Sequence, residues 1–86
     1  MRNDLERGSV VLSLAGHDQG RLFVVLERID EQYVWIADGD TRPIEKPKRK
    51  KRKHLRLTPF DPMEIRETPQ LMNADIRKFL KKYVEK

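Results

Sequence analysis

A run of basic residues is the part of this 86-residue sequence whose chemistry is easiest to name. The segment from Lys46 to Arg56 holds eight basic residues and no acidic one, whereas the rest of the chain holds eleven basic and fourteen acidic residues. The formal net charge of +5 is therefore concentrated in one tract. Binding to nucleic-acid phosphates relieves the repulsion among such charges and releases counterions. The tract predicts a polyanion-binding site made of Lys46, Lys48, Arg49, Lys50, Lys51, Arg52, Lys53 and Arg56.

The basic tract has two simpler interpretations. It could be a solvated loop that only confers solubility, but solvated faces normally mix both signs of charge. It could also be a nuclear-localisation signal, which has the same composition. We expect a loop that lies outside any strand, so replacing residues 48–53 with neutral ones should abolish RNA binding and leave the fold intact. If about six to eight phosphates are engaged, the log–log salt slope is roughly −4 to −7.

Residues suited to catalysis or metal binding are scarce. The chain has no cysteine, and His17 and His54 are its only histidines. A chain of this length buries only about 60–65% of its unfolded surface, so its core can hardly enclose a deep pocket. The sequence therefore predicts no catalytic residue, no metal site and no cofactor, and it favours a binding module over an enzyme.

Period-two alternation from Ser9 to Ile36 indicates the strands that must carry the tract. Predicted strands cover Val10–Ala15, Arg21–Ile29, Tyr33–Ala37, Thr41–Glu45 and His54–Leu57. The fourth would be an edge strand or a strand start, because Pro43 cannot donate to a ladder. Gly16 and Gly20 bound a tight loop that needs positive φ, and Asp38-Gly39 predicts a hairpin turn. Five short strands within about 50 residues favour a small barrel.

The C-terminal end changes to a helical period. Asn73 can cap free backbone amides, and an apolar stripe follows at Ile76, Phe79, Leu80, Tyr83 and Val84. Residues 59–72 contain three prolines and predict an irregular connector held down by Phe60, Met63 and Ile65. The expected organisation is a single domain, with a barrel over residues 1–58 that includes a basic loop at 46–56, the connector at 59–72, and an amphipathic helix at 73–86 packed on the barrel.

The segment from Gly8 to Leu26 resembles a KOW motif, in which a strand, a glycine-bounded loop, a basic residue and a second strand follow one another. With Asp38-Gly39, Arg42-Pro43, the basic tract and residues 73–78, the chain is similar to small bacterial KOW-domain RNA-binding proteins. These are related to KOW-bearing large-subunit ribosomal proteins of archaea and eukaryotes. The resemblance implies a mainly β fold, namely a five-stranded SH3-like barrel of the KOW type with one C-terminal α-helix.

The resemblance also implies which loop residues face RNA. The KOW loop consists of Gly16, His17, Asp18, Gln19 and Gly20, with Arg21 on a phosphate and Arg42 close to the tract. Many KOW motifs carry a basic residue where Gln19 stands, so the tract is expected to make the stronger contact. Tyr33 and Trp35 share a strand face and could either stack on bases or pack under the helix, and packing is the favoured interpretation.

These patterns and the KOW resemblance together predict a cytoplasmic, non-enzymatic protein that binds RNA, and the resemblance implies ribosomal RNA of the large subunit as the target. The alternative is a protein-interaction module that docks on transcription or translation machinery, such as RNA polymerase or a translation factor. No apolar run has the length of a signal peptide or of a membrane span, so no membrane partner is expected.

Overall fold

A five-stranded antiparallel sheet forms the centre of the molecule in this computed structural model, which describes residues 5–84. The strands are β1 (Val10–Ser13), β2 (Leu22–Arg28), β3 (Tyr33–Ala37), β4 (Lys48–Lys51) and β5 (Leu55–Leu57). Their order is β4-β3-β2-β1-β5, which leaves β4 and β5 as the two edges of an open sheet. One turn of 3-10 helix, Arg52–His54, connects these two edge strands.

The first three strands and the last strand were predicted within two residues at each end, but the predicted fourth strand is wrong. Residues 41–46 form bends and a turn, and the amide of Lys46 donates to the carbonyl of Pro43 at 3.0 Å. Proline cannot supply a ladder hydrogen bond, so this segment turns the chain instead of extending it. The fourth strand is Lys48–Lys51, inside the basic tract.

Both faces of the sheet are covered by apolar side chains. One cluster joins Leu5, Val11, Phe23, Val25, Val34, Ile36 and Leu55. The other face carries Val10, Val24 and Ala37, which pack against Ile65, Ile76, Phe79 and Leu80. The strand β2 therefore contributes to both clusters, as its apolar residues at successive positions predicted.

Two helices cover the second face. Helix α1 (Met63–Arg66) interrupts the connector that was predicted to be irregular, and helix α2 (Asn73–Val84) is the predicted C-terminal helix. Ile65 is buried and Phe60 stacks on Tyr83 with ring centroids 3.9 Å apart, but Met63 is half exposed and does not hold the connector down. Neither helix within residues 5–84 has the length and apolar surface required to cross a membrane.

The start of α2 is held by contacts that differ from the predicted cap. The Asn73 side chain does not cap its own helix: its Oδ1 accepts a hydrogen bond from the amide of Ile44 at 2.8 Å. Asp75, in the first turn, reaches back to the residue before the helix, since its Oδ2 accepts from the amide of Met72 at 2.9 Å. The Arg77 guanidinium donates to the carbonyl of Gly39 at 2.7 Å. The helix is therefore docked on the segment that leads into β4.

Candidate nucleic-acid interface

The centre of the basic tract is a β-strand, which corrects the expectation of an unpaired loop. The strand β4 pairs antiparallel with β3, so that Lys51 lies opposite Tyr33 and Arg49 lies opposite Trp35. Successive side chains of a strand point to opposite faces. This alternation places some of the lysine and arginine side chains of β4 on one face of the sheet and the rest on the other. Electrostatic repulsion among these side chains argues against a strand, but on one face a carboxylate lowers that repulsion.

The inward face of β4 carries a buried ionic cluster. Lys50 Nζ lies 3.0 Å from Asp18 Oδ1, and Lys48 Nζ lies 3.2 Å from Asp18 Oδ2. The Ser13 hydroxyl donates to Oδ1 at 2.7 Å, and Lys50 also donates to the carbonyl of Ala15 at 2.9 Å. Only 8% of the Lys50 side chain and 11% of the Asp18 side chain are exposed. Asp18 therefore joins the loop between β1 and β2 to the basic strand.

The pKa of the Asp18 carboxyl lies well below its usual range. Burial by itself would raise this pKa, but hydrogen bonds from Ser13, Lys50 and Lys48 to the charged form outweigh that effect. The carboxylate stays ionised at neutral pH and neutralises part of the tract from within the fold.

The glycine-bounded loop has the backbone that its sequence predicted. Gly16 and Gly20 have φ values of +88° and +87°. Its remaining side chains divide in an unexpected way, because His17 and Gln19 are exposed whereas Asp18 is buried. In the sequence alone, Asp18 only weakens the positive charge of the loop. The signal available in the sequence was a strand of consecutive basic residues, whose inward side chains need a counter-ion.

The outward face of β4 is electropositive and is bordered by aromatic rings. The Arg49 guanidinium carbon lies 4.6 Å from the centroid of the Tyr33 ring, and Lys51 Nζ lies 6.0 Å from the same centroid. Arg49 is exposed, and Tyr33, Trp35 and Lys51 are partly buried. A cation over an aromatic ring is attracted by the ring quadrupole, which holds Arg49 in a defined position.

The other predicted contact residues lie on several elements, and Arg56 belongs to β5 at the opposite edge of the sheet. Lys46, Lys53 and Arg56 are exposed, and Arg52 donates from its guanidinium to the carbonyl of Glu31 at 3.1 Å. Arg21 is 48% exposed, and its guanidinium forms an ion pair with Asp38 at 3.1 Å.

The carboxylate of Asp38 organises the turn that contains Arg42. This carboxylate also accepts hydrogen bonds from the amide of Arg42 at 2.8 Å and from the hydroxyl of Thr41 at 3.0 Å. The Arg42 side chain is exposed. Arg21 thus helps to hold this turn, and a phosphate would have to share its guanidinium with Asp38.

The described residues offer no obvious metal centre: within residues 5–84, no three side chains among histidine, cysteine, aspartate and glutamate converge on one point. The strand β4 presents cations along an edge of the sheet, and this arrangement suits binding to extended anions. No protein-family model matches the sequence, and no curated protein matches it either. The KOW assignment therefore stays a prediction from the sequence.

Proposed function

We propose that this protein is a non-enzymatic RNA-binding protein that holds the phosphate backbone through β4 and its flanks. A single observation carries the proposal: Arg49 and Lys51 both lie on the outward face of an edge strand. Exposed lysines flank this strand in the chain, namely Lys46 before it and Lys53 after it. Side chains two positions apart on a strand are about 6.5 Å apart along its axis, so a backbone lying along β4 could meet them in turn.

The proposed fold is an SH3-like barrel of the KOW type. Two features support it: Leu55 from one edge strand shares a cluster with Val34 and Ile36 near the opposite edge, and a single 3-10 turn links the two edges. A strongly curled sheet brings such distant strands together. Ribosomal RNA of the large subunit in the cytoplasm is the proposed target, on the strength of the KOW resemblance.

The site retains a positive surface although part of the tract is neutralised. Lys48 and Lys50 share the charge of Asp18, so they hold the strand and the glycine loop together. Four other cations of the tract are exposed: Lys46, Arg49, Lys53 and Arg56. Phosphate contacts of this kind position a protein on nucleic acid and carry little sequence information.

Fluorescence anisotropy with a labelled fragment of large-subunit ribosomal RNA tests the proposal. The variant Arg49→Gln/Lys51→Gln should weaken binding by at least tenfold at low salt. The variant Arg28→Gln/Lys78→Gln removes the same charge from exposed positions elsewhere and should change the affinity by less than about threefold. Equal losses of RNA affinity in both variants would mean that binding depends on the overall charge and not on the proposed site.

Sedimentation tests the ribosomal part of the proposal. The tagged protein should migrate with the large subunit at low salt and leave it at high salt. Migration only at the top of the gradient under both conditions would remove the ribosome from the proposal.

A protein-interaction module is the second candidate function, and one observation favours it. An open groove of about 710 Å³ lies between α2 and the glycine loop, with Leu12, Leu22 and Leu80 among its lining residues. Such a groove could take an apolar side chain of RNA polymerase or of a translation factor. A complex with either purified partner that survives nuclease and high salt, together with no affinity for RNA, would favour this candidate.

A further inference from the structure

The outward face of β3 and β4 brings two aromatic rings and two cations together, and we call it the aromatic–cation face: Tyr33, Trp35, Arg49 and Lys51. The register places Trp35 directly opposite Arg49 and Tyr33 directly opposite Lys51. Arg49 leans diagonally over the ring of Tyr33. Each aromatic ring therefore has a cation as its cross-strand neighbour.

An open groove lies beside Trp35 on this face. It has a volume of about 460 Å³, and its apolar walls come from Leu26, Ile44, Pro47, Pro69 and Leu71. Arg7 and Glu27 are its charged residues. Both prolines line the same groove as the indole, and Pro47 directly precedes β4 in the chain.

We propose that the aromatic–cation face binds single-stranded RNA, with one unpaired base stacked on Trp35 in this groove. The inference rests on the proposed RNA binding and specifies the class of RNA. Aromatic side chains next to a cationic track are the usual means of holding single strands, since every base has a π-face and every linkage carries a phosphate. The phosphates that flank the stacked base are bound by Arg49 and Lys51, and Tyr33 holds Arg49 in place.

The charges around the groove give the bound strand an orientation. Glu27 lies opposite Trp35 on β2, so its carboxylate is on the side of the indole away from β4. A carboxylate repels phosphate and can accept a hydrogen bond from the exocyclic amine of cytosine. The base edge therefore points towards Glu27, and the phosphates lie over β4.

A duplex cannot make these contacts. In an A-form helix the bases are stacked on one another, so only phosphates and 2′-hydroxyls reach a protein surface of this shape. The proposal consequently requires a higher affinity for single strands than for duplexes, in addition to the electrostatic attraction that both share.

The test uses the intrinsic fluorescence of Trp35, which is the only tryptophan in the chain. The 86-residue chain is titrated with a 12-nucleotide oligocytidylate and, separately, with a 12-base-pair RNA duplex. The oligocytidylate should quench Trp35 in a saturable way and bind at least fivefold more tightly per strand than the duplex. The duplex should leave the fluorescence almost unchanged.

Variants separate stacking from charge. By anisotropy with labelled RNA, Trp35→Ala should lose about tenfold in affinity for oligocytidylate, whereas its affinity for the duplex should stay within about twofold. Trp35→Phe keeps a stacking ring and should recover most of the loss. It also keeps the test decisive if the alanine variant does not fold.

The outcomes distinguish this inference from the function on which it rests. Binding of neither RNA overturns both. Equal binding of oligocytidylate and duplex, without quenching of Trp35, leaves RNA binding in place and overturns the single-strand inference. Equal loss of both affinities in Trp35→Ala, with folding intact, also overturns it.

Discussion

Asp18 shows how one acidic side chain can decide the use of a basic tract. Its carboxylate forms ion pairs with Lys48 and Lys50, which lie on a strand about thirty residues further along the chain. These ion pairs attach the loop that contains Asp18 to that strand. Without this carboxylate the two ammonium groups would face each other beside an apolar cluster. Asp18 lowers the positive charge of its own loop, and it also makes the basic strand possible.

The variant Asp18→Asn should destabilise the protein. Removal of one partner from a buried ion pair costs about 3–5 kcal/mol, and we expect about 2–3 kcal/mol here because 26% of the Lys48 side chain is exposed. Urea denaturation measures the change in the free energy of unfolding. The control Asp40→Asn removes the same charge from an exposed position and should cost less than about 0.5 kcal/mol. A similar loss in both variants would contradict the role given to the cluster.

The stability that Asp18 supplies should depend on pH. Its pKa is lower in the folded protein than in the unfolded chain, so the unfolded chain takes up the proton first as the pH falls. The contribution is complete above the unfolded value of about 3.9 and decreases as the pH falls further. The difference in unfolding free energy between wild type and Asp18→Asn should be largest at about pH 5–7 and shrink steadily below about pH 4. A difference that is independent of pH would exclude the ionic explanation.

Gly39 and Gly20 test how closely α2 is docked. Both have positive φ, but a Cβ on Gly39 would lie 2.5 Å from the carbonyl oxygen of Asn73, whereas one on Gly20 would meet no atom within 4 Å. Each alanine substitution should destabilise the protein by about 1–2 kcal/mol, because alanine disfavours a positive φ. Gly39→Ala should lose about 1–3 kcal/mol more, from the steric overlap. Thermal unfolding measures both, and equal melting temperatures would show that α2 can move away from the turn at little cost.

At the scale of elements, the apolar alternation of β1 to β3 and the stripe of α2 were sufficient to predict those elements. Nearly all the buried side chains of these segments are apolar, Ser13 of β1 being an exception, so the period is visible in the sequence. The strand β4 has the same alternation but no apolar residue: its inward positions are Lys48 and Lys50, and their counter-ion comes from a loop far away in the chain. The sequence therefore predicted the fourth strand at Thr41–Glu45 instead of at Lys48–Lys51.

The role of the Asn73 side chain was also beyond local prediction. Asn73 has the chemistry of a cap, but its side chain binds the amide of Ile44, which is 29 positions away. The same limit applies to the aromatic–cation face, since the pairing of Trp35 with Arg49 follows from the position of β4.

The two faces of β4 should respond differently to one and the same substitution. Lys50→Gln leaves Asp18 with fewer donors and should cost about 1–2 kcal/mol of stability, with little effect on RNA affinity at a temperature where the variant is folded. Lys51→Gln alters a partly exposed side chain and should cost less than about 0.5 kcal/mol while weakening RNA binding severalfold. Chemical denaturation and anisotropy on the same samples compare them. The reverse pattern would mean that the outward face of β4 is not the contact surface.

For the molecule as a whole, the eight basic residues of the tract overstate the number of cations that can reach a polyanion. Lys48 and Lys50 are turned inward, and Arg52 donates to the carbonyl of Glu31. Five cations of the tract remain for phosphates: Lys46, Arg49, Lys51, Lys53 and Arg56. The expectation that all of residues 48–53 can be neutralised without damage to the fold therefore needs revision, because two of these side chains support it.

The salt dependence of RNA binding measures this division of charge directly. Each phosphate neutralised on a single strand contributes about −0.7 to the slope of log affinity against log salt. Five contacts give a slope of about −3 to −4, whereas engagement of the full tract would give about −5 to −6. Affinities for oligocytidylate from low to moderate salt determine the slope. Arg49→Gln/Lys51→Gln should reduce its magnitude by about 1–1.5, and Lys50→Gln should leave it nearly unchanged because the Lys50 side chain is buried against Asp18 and does not reach a phosphate. A wild-type slope near −6, or a Lys50→Gln effect as large as that of Lys51→Gln, would mean that the ionic cluster opens when RNA binds.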